Sequence, residues 1–238
     1  SKCIESIDLE QINVKAIVND GKMPVQHNLF HIMHNEKNLG VGKSKNKLLK
    51  YLYEQGCDYI FLLEDDMLIL DSSVFEKYIE AHKASRIHHF NYGPGSPFNR
   101  KQKIKNFDLH NRHELDQHSE PKPKKIIDYG KGVKISLFEH TVAMFSFFTR
   151  EVLEKVGFID EEYYNAWEHV DHTYRIIKAG YHPPFWHFAD IFDSHKYLSE
   201  APEAIDKSSI ANDNEQWKKN VYGGIEIYKR KHGHAPNQ

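Results

Sequence analysis

Cysteine is scarce in this sequence: Cys3 and Cys57 are the only two among 238 residues. Two thiols exclude a disulfide framework and a cysteine-based zinc site. No apolar run reaches the roughly 18–20 residues that a membrane-spanning helix needs. A secretory signal segment and an Asn-x-Ser/Thr glycosylation acceptor are missing as well. These absences predict a cytoplasmic protein with no membrane span in this chain.

The net charge is also small. The 32 Lys and Arg residues nearly balance the 34 Asp and Glu residues, which leaves −2 at pH 7. Such a balance offers no general attraction to nucleic acid or to an acidic membrane, so we expect no nucleic-acid partner. Hydrophobic residues make up 39% of the chain and aromatic residues 13%, which is enough for a sizeable core. At this length we predict a single domain spanning 1–238.

Apolar segments typical of strands alternate with amphipathic helical patterns in the first part of the chain. This alternation favours an α/β fold with a mostly parallel central sheet flanked by helices. The stretch 93–135 has little periodicity, and we predict an irregular loop there. Strands are predicted at 14–19, 28–33, 58–63, 86–91, 141–148 and 184–192, and helices at 44–55, 72–84, 149–156, 167–179, 203–222 and 224–231.

Three consecutive carboxylates, Glu64, Asp65 and Asp66, follow the predicted buried strand at 58–63. Like charges at a strand end repel one another and resist desolvation. A hard divalent cation that also carries phosphates would compensate them. The alternative is a solvated acidic turn that caps the next helix. Ligands bind at the carboxyl ends of parallel strands, and Asp20 is also predicted at such an end, which favours a site.

The second acidic group lies on the predicted helix at 167–179. Glu168, Asp171 and Arg175 stand at i, i+3 and i+7 and therefore share a face. One interpretation is a surface ion pair between Asp171 and Arg175, worth about 0.3–0.5 kcal/mol. The other places a carboxylate, or the imidazole of His169, at a cleft edge where it takes a proton from an incoming hydroxyl.

Two further features are candidates for ligand contacts. The segment 38–46 joins a glycine-containing loop to a helix N-terminus, where Lys43 and Lys45 favour anions. Its spacing matches neither the P-loop nor the dinucleotide fingerprint, and an ordinary helix start is the alternative. Among the 17 histidines, His187 and His195 come after the second acidic motif, and either is a candidate to complete a metal shell begun by Asp66.

Taken in order, these motifs resemble the nucleotide-sugar-dependent glycosyltransferases of the GT-A fold, and within these they are most similar to family 2. A strand ending in IVNDG is followed by NLG and KN at a helix start, then by EDD after a strand. Next comes VGFIDEEYYNAWEHVDHTYRIIKAGY, and the tail IYKRKHG is similar to one often seen after that motif. The resemblance covers roughly 1–50, 56–72 and 140–232.

The resemblance implies roles for individual residues. Asp20 would contact the donor's base, and Asp65 would hold the ribose or assist the metal. Asp66 would bind Mn2+ or Mg2+ bridging the two phosphates. Lys45 stands in the place of an arginine that faces the donor, and His195 matches a histidine that often follows the last core strand.

Three departures from the family pattern affect these roles. Glu64, a candidate metal ligand, replaces the first Asp of the metal-binding motif. His169 stands where the family usually has the Asp of its Glu-Asp pair, so Glu168 and His169 rank ahead of Asp171 as the base. Finally, the first strand of the fold has no counterpart before Ser1, and we expect it to be missing from this chain.

We therefore predict a metal-dependent, inverting glycosyltransferase of the hexosyl- or N-acetylhexosaminyl-transferring class, active in glycan or polysaccharide synthesis. A UDP-sugar would bind the half formed by 1–92, and a saccharide acceptor the half formed by 136–238. The loop at 93–135 would be an acceptor-side loop or lid. The alternatives are a non-catalytic nucleotide-sugar-binding module and a sugar nucleotidyltransferase, although the glycine-rich phosphate loop of the latter is not seen.

Overall fold

The computed structural model describes residues 2–101, 119–182, 187–201 and 214–236. Within these residues the chain forms a mixed α/β fold of six α-helices and ten strands. The helices are α1 (Lys2–Glu5), α2 (Val41–Glu54), α3 (Val74–Ser85), α4 (Arg150–Val156), α5 (Glu168–Lys178) and α6 (Asn214–His232). The strands are β1 (Ala16–Asn19), β2 (His31–His34), β3 (Tyr59–Leu63), β4 (Met67–Ile69), β5 (His89–Asn91), β6 (Lys125–Asp128), β7 (Lys134–Phe138), β8 (Phe145–Thr149), β9 (Phe188–Ile191) and β10 (Leu198–Glu200).

Antiparallel pairing predominates among these strands. Only β1 and β2 pair in parallel in the part of the chain that the structure describes. Strand β8 lies between β3 and β5 and runs opposite to both, whereas β7 joins β6 and β9, and β4 pairs with β10. The predicted mostly parallel central sheet is therefore not confirmed. Strands β3 and β5 do share a direction, but β8 separates them.

The sheet of β3, β8 and β5 is covered on both faces. Phe145 and Phe147 of β8 are fully buried on the face that carries α3, where Phe61 lies with its ring centroid 5.1 Å from that of Phe147. Phe148 points to the opposite face and packs with Leu49 of α2 and neighbouring apolar residues. Because side chains alternate along a strand, one aromatic run supplies both cores.

Two predicted segments differ from the structure. The region 93–135, predicted as irregular, contains β6 and the beginning of β7, and part of it lies outside the described residues. Within the described residues, the helices predicted at 203–222 and 224–231 form one continuous helix, α6, and the part of the first prediction at 203–213 lies outside the described residues. No helix of the described ranges combines the length and apolar character needed to cross a membrane.

A buried carboxyl group, Asp190 on β9, ties several elements together. Its Oδ1 accepts a hydrogen bond from the Tyr78 hydroxyl at 2.5 Å, and its Oδ2 accepts from the Gly93 N–H at 3.0 Å and the Ser194 hydroxyl at 2.6 Å. Burial raises the pKa of Asp190 to about 7, although these donors oppose the rise. Asp190 thus joins β9 to α3, to the turn at 93–95 and to the turn after β9.

This displaced pKa makes a measurable contribution to stability. The folded pKa of Asp190 lies above the value of 3.8 for an unperturbed Asp, so its stabilising contribution is complete below pH 3.8 and is lost as the pH rises through 7. Between pH 5 and 8 the stability advantage of wild type over Asp190→Asn should shrink by about 2–3 kcal/mol. Urea denaturation of both proteins at the two pH values measures this. If the stability difference between wild type and Asp190→Asn stays constant or widens from pH 5 to pH 8, the raised pKa of Asp190 is contradicted.

Candidate active site

A buried lysine brings the two acidic motifs together. Lys45 of α2 is 9% exposed, and its Nζ lies 2.7 Å from Oε1 of Glu64 and 3.1 Å from Oε1 of Glu168. The same Nζ donates to the carbonyl oxygen of Ala143 at 3.4 Å. One ammonium group therefore connects the turn after β3 with the first residue of α5. The predicted anion preference of Lys45 is met, in this structure, by two carboxylates of the protein.

The loop before α2 explains how Lys45 reaches this position. Asp20, at the end of β1, accepts hydrogen bonds from the backbone N–H groups of Leu39 at 2.8 Å and Gly40 at 3.0 Å. Gly40 has a φ of 85°, which favours glycine. A Cβ atom there would also lie 2.3 Å from the carbonyl oxygen of Tyr164. Asp20 thus organises the start of α2, while Lys43, one turn later, is exposed.

Charge in the cluster is strongly coupled. Burial by itself would raise the pKa of Glu168, but the nearby Lys45 and His169 outweigh burial and hold that pKa well below its ordinary value. Burial by itself would lower the pKa of Lys45, but Glu64 and Glu168 outweigh it and raise that pKa. Both partners are consequently charged at neutral pH. A carboxylate held in this way is a weak proton acceptor.

His169 lies beside this carboxylate. Its Nδ1 is 3.3 Å from Oε1 of Glu168, and its side chain is 14% exposed. Because a carboxylate can only accept, Nδ1 carries the proton and the lone pair of the neutral imidazole resides on Nε2. The pair therefore forms a carboxylate–imidazole dyad, the arrangement that orients a histidine as a general base.

The backbone around the cluster is strained. Ala166 and Trp167, the two residues before Glu168, have φ values of 69° and 71°, and Ala143 has a φ of 53°. The left-handed region is disfavoured for residues with a Cβ atom. Such conformations persist only where the surroundings hold them, and they concentrate at functional sites. All three residues adjoin Lys45 or the dyad.

Asp171 has a different environment from Glu168. It is 1% exposed, and its Oδ2 accepts from Nε of Arg175 at 2.8 Å. Its Oδ1 lies 2.7 Å from Nε2 of His232 in α6. Arg175 continues to the carbonyl oxygens of Val156 and Phe158 at 3.1 and 2.8 Å. The surface ion pair considered from the sequence is therefore a partly buried one, with Asp171 buried and the Arg175 side chain 26% exposed, that joins α5 to neighbouring segments.

The three carboxylates after β3 form a tight turn into β4. The Glu64 N–H donates to the carbonyl oxygen of Met144 at 2.8 Å, and the Asp66 carbonyl oxygen accepts from the Ala201 N–H. Asp65 is exposed and Asp66 is half-buried. Carboxylate oxygens are the donors that Mg2+ prefers, and it usually binds through one or two of them plus substrate phosphates. The donor chemistry of Asp65 and Asp66 fits such an ion.

His195 lies in the turn between β9 and β10, before the start of the β4–β10 ladder. That ladder pairs Glu200 with Met67, so His195 lies beyond its far end relative to Asp66. Burial lowers the pKa of His195, and its charged neighbours include Asp193 and Lys196. Within the described ranges, no group of three or more His, Cys, Asp or Glu residues is arranged to hold a metal.

A polar network behind the dyad was not anticipated. His89 Nδ1 donates to the Phe147 carbonyl oxygen at 2.8 Å, so its Nε2 accepts from the Thr173 hydroxyl at 3.1 Å and the Asn91 amide at 2.9 Å. Burial lowers the pKa of His89 to about 3, which keeps it neutral. This network borders a small cavity of about 10 Å³ that Lys45 and His169 also line. The sequence signal for this network was the presence of two polar residues, His89 and Asn91, in a segment with the pattern of an apolar strand.

Comparison with known proteins adds one relative. No protein-family model matches this chain. The chain is similar to an uncharacterized glycosyltransferase of Acanthamoeba polyphaga mimivirus, with 26% identity over 223 residues. The matched region covers 88% of this chain and 76% of the relative, so the likeness extends over most of both proteins.

Proposed function

We propose that this protein is a metal-dependent, inverting glycosyltransferase that moves a sugar from a UDP-sugar to a saccharide acceptor. The mimivirus relative bears the name of a glycosyltransferase, and at that coarse level the similarity supports a sugar donor and an acceptor as substrates. UDP as the nucleotide, hexosyl or N-acetylhexosaminyl transfer and inversion are finer points, and they rest on the ordered sequence motifs.

The observation that carries the proposal is the meeting of the two acidic motifs at Lys45. Glu64 of the turn after β3 and Glu168 of α5 are distant in sequence, yet both lie within 3.1 Å of the same Nζ. A transferase needs a leaving-group site and a proton acceptor on adjacent walls of one cleft. The turn that carries Asp65 and Asp66 supplies the first, and the dyad that begins α5 supplies the second.

His169 is the base in this proposal. As the acceptor hydroxyl attacks the anomeric carbon, its proton passes to Nε2 of His169, while Nδ1–H donates to Glu168 and stabilises the imidazolium that forms. The new bond joins the acceptor oxygen to the anomeric carbon. The bond to the diphosphate oxygen breaks, and the diphosphate leaves with that electron pair. Attack opposite the leaving group inverts the anomeric centre.

On the donor side, Asp66, with Asp65, would hold Mn2+ or Mg2+, whose charge neutralises the departing diphosphate. Asp20 organises the loop that would receive the nucleobase of the donor. Lys43 is exposed in the first turn of α2, where the helix dipole and the side chain both favour phosphate. Lys45 keeps Glu168 charged and in place. His195 remains a proposed additional ligand of this metal ion. It would reach the ion only if the turn after β9 approaches the acidic turn after β3.

Release of nucleoside diphosphate tests the proposal. With Mn2+, a panel of nucleotide sugars and a mixture of saccharide acceptors, wild type should release UDP, and Asp66→Asn should reduce turnover by about 100-fold or more. Equal turnover by the variant would refute the role of Asp66. Release of pyrophosphate would instead identify a nucleotidyltransferase, and ligand-induced thermal stabilisation without product would identify a binding module.

A further inference from the structure

Helix α6 packs against the residue that precedes the dyad. The indole Nε1 of Trp167 donates to the carbonyl oxygen of Val221 at 2.9 Å. Directly beside this bond, a Cβ atom on Gly224 would lie 2.6 Å from Cδ1 of the same indole and 3.3 Å from the carbonyl oxygen of Ala166. The ring therefore lies on bare helix backbone, which only glycine provides at that position.

A second attachment lies towards the C-terminal end of the same helix. His232, in the last turn of α6, bonds to the buried Asp171 of α5. Tyr228 is 2% exposed and packs edge-on against Tyr174 at a centroid distance of 5.7 Å. Helix α6 therefore contacts α5 at two places. One is Trp167, the N-cap of α5, and the other is the interior of α5 at Asp171 and Tyr174.

The opposite side of the same segment contacts α2. The Val41 N–H donates to the carbonyl oxygen of Tyr164 at 2.8 Å, and Asn46 bonds to the backbone N–H and carbonyl of Ile159. The segment 159–167 is thus enclosed between α2, which carries Lys45, and α6, which carries Gly224. A shift of this segment changes the distance between Lys45 and Glu168.

Building on the proposed function, we propose that Trp167 and Gly224 are positioning residues for glycosyl transfer. The indole, seated on α6, holds the left-handed pair Ala166–Trp167, and this pair aims the Glu168–His169 dyad. Left-handed residues relax when their supports are lost. Because Trp167 is the N-cap of α5, a displaced ring rotates the peptide that leads directly into Glu168.

The two adjacent glycines of α6 provide a matched pair of variants. Gly224 is buried against Trp167, whereas a Cβ atom on Gly223 meets nothing within 4 Å. Both substitutions Gly→Ala increase helix propensity equally. Gly224→Ala should lower kcat by about 10–100-fold with the KM for donor within about twofold, because misplacement of the base affects the chemical step. Gly223→Ala should leave kcat and KM unchanged. Equal kcat values for the two variants would overturn the proposal.

Nuclear magnetic resonance supplies a readout that does not need turnover. The chain has three tryptophans, so its indole N–H signals are few. In Gly224→Ala the Trp167 indole signal and the His169 imidazole signals should move, and in Gly223→Ala they should stay. If wild type turns over no nucleotide sugar, the proposed function fails, and these signals alone decide the positioning claim. An unmoved His169 signal in Gly224→Ala overturns it.

A third variant covers the case in which Gly224→Ala does not fold. Trp167→Phe keeps an aromatic ring on α6 but removes the N–H that bonds to Val221. It should lower kcat by at least about threefold, leave the donor KM unchanged and move the His169 signals. Wild-type kcat together with unmoved His169 signals would overturn the proposal.

Discussion

Replacing Lys45 by Met should cost about 3–5 kcal/mol of the free energy of unfolding, because Glu168 is then left buried without its ammonium partner. Glu168 is 3% exposed, so water cannot substitute for the lost charge. Lys50→Met is the matched control on the same helix. Its ion pair with Glu161 is exposed and worth at most about 1 kcal/mol. Chemical denaturation of both variants measures the difference.

The pH dependence of the Lys45→Met variant should also differ in sign from that of wild type. In wild type the folded pKa of Glu168 is depressed below 4.5, so its stabilising contribution is present above that pH and is lost on acidification. Without Lys45, burial, the largest influence on the pKa of Glu168, is opposed mainly by His169, so that pKa should rise and acid should become stabilising. Adding Glu168→Gln to the variant should therefore recover stability at neutral pH. A Lys45→Met protein as stable as Lys50→Met at pH 7 would show that the cluster is not buried and coupled.

Replacing His169 by Ala should lower turnover by about 100- to 10,000-fold, the usual contribution of a general base. Added imidazole should restore part of that loss, because the small base can occupy the vacated space and accept the acceptor proton. Glu168 keeps its contact with Lys45, so the folded state should persist. Initial rates with and without imidazole measure the effect.

Asp66→Asn is the control for this rescue. Its expected defect lies in holding the leaving group, so imidazole should not restore its turnover. If His169→Ala retains wild-type turnover, the base lies elsewhere. If imidazole raises the turnover of both variants equally, the rescue is unspecific and the assignment of His169 as the base is wrong.

Local elements could be predicted well from the sequence. The helical pattern at 44–55 corresponds to α2, the pattern at 167–179 to α5, and the apolar run at 58–63 to β3. In each case a periodic apolar pattern is bounded by a polar or glycine residue, and both signals are local. The acidic turn after β3 was found for the same reason, since its three charges directly follow an apolar strand.

Strand direction could not be predicted in the same way. The apolar run that forms β8 was expected, but such a run looks the same whichever way it enters a sheet. Its place between β3 and β5 depends on aromatic packing, for example Phe147 against Phe61 and Phe90. The prediction divided α6 at the adjacent Gly223 and Gly224, because in a sequence a glycine that makes room for an aromatic ring cannot be told from one that ends a helix.

The sequence predicted which residues belong to the candidate site better than it predicted which of them contact one another. Lys45, Glu64, Glu168 and His169 were singled out separately, and only the tertiary structure places them within hydrogen-bond distance. Asp171 shares a helix face with Glu168, yet its partners include His232 from the distant helix α6. Long-range partners of this kind leave no mark on local sequence patterns.

A crystal structure of the protein with Mn2+ and a UDP-sugar tests the central claim most directly. We expect the ion on the carboxylates of Asp66 and Asp65, the diphosphate on that ion, and the anomeric carbon facing Nε2 of His169. A nucleotide bound away from the turn after β3, with Asp66 contacting neither ion nor phosphate, would contradict it.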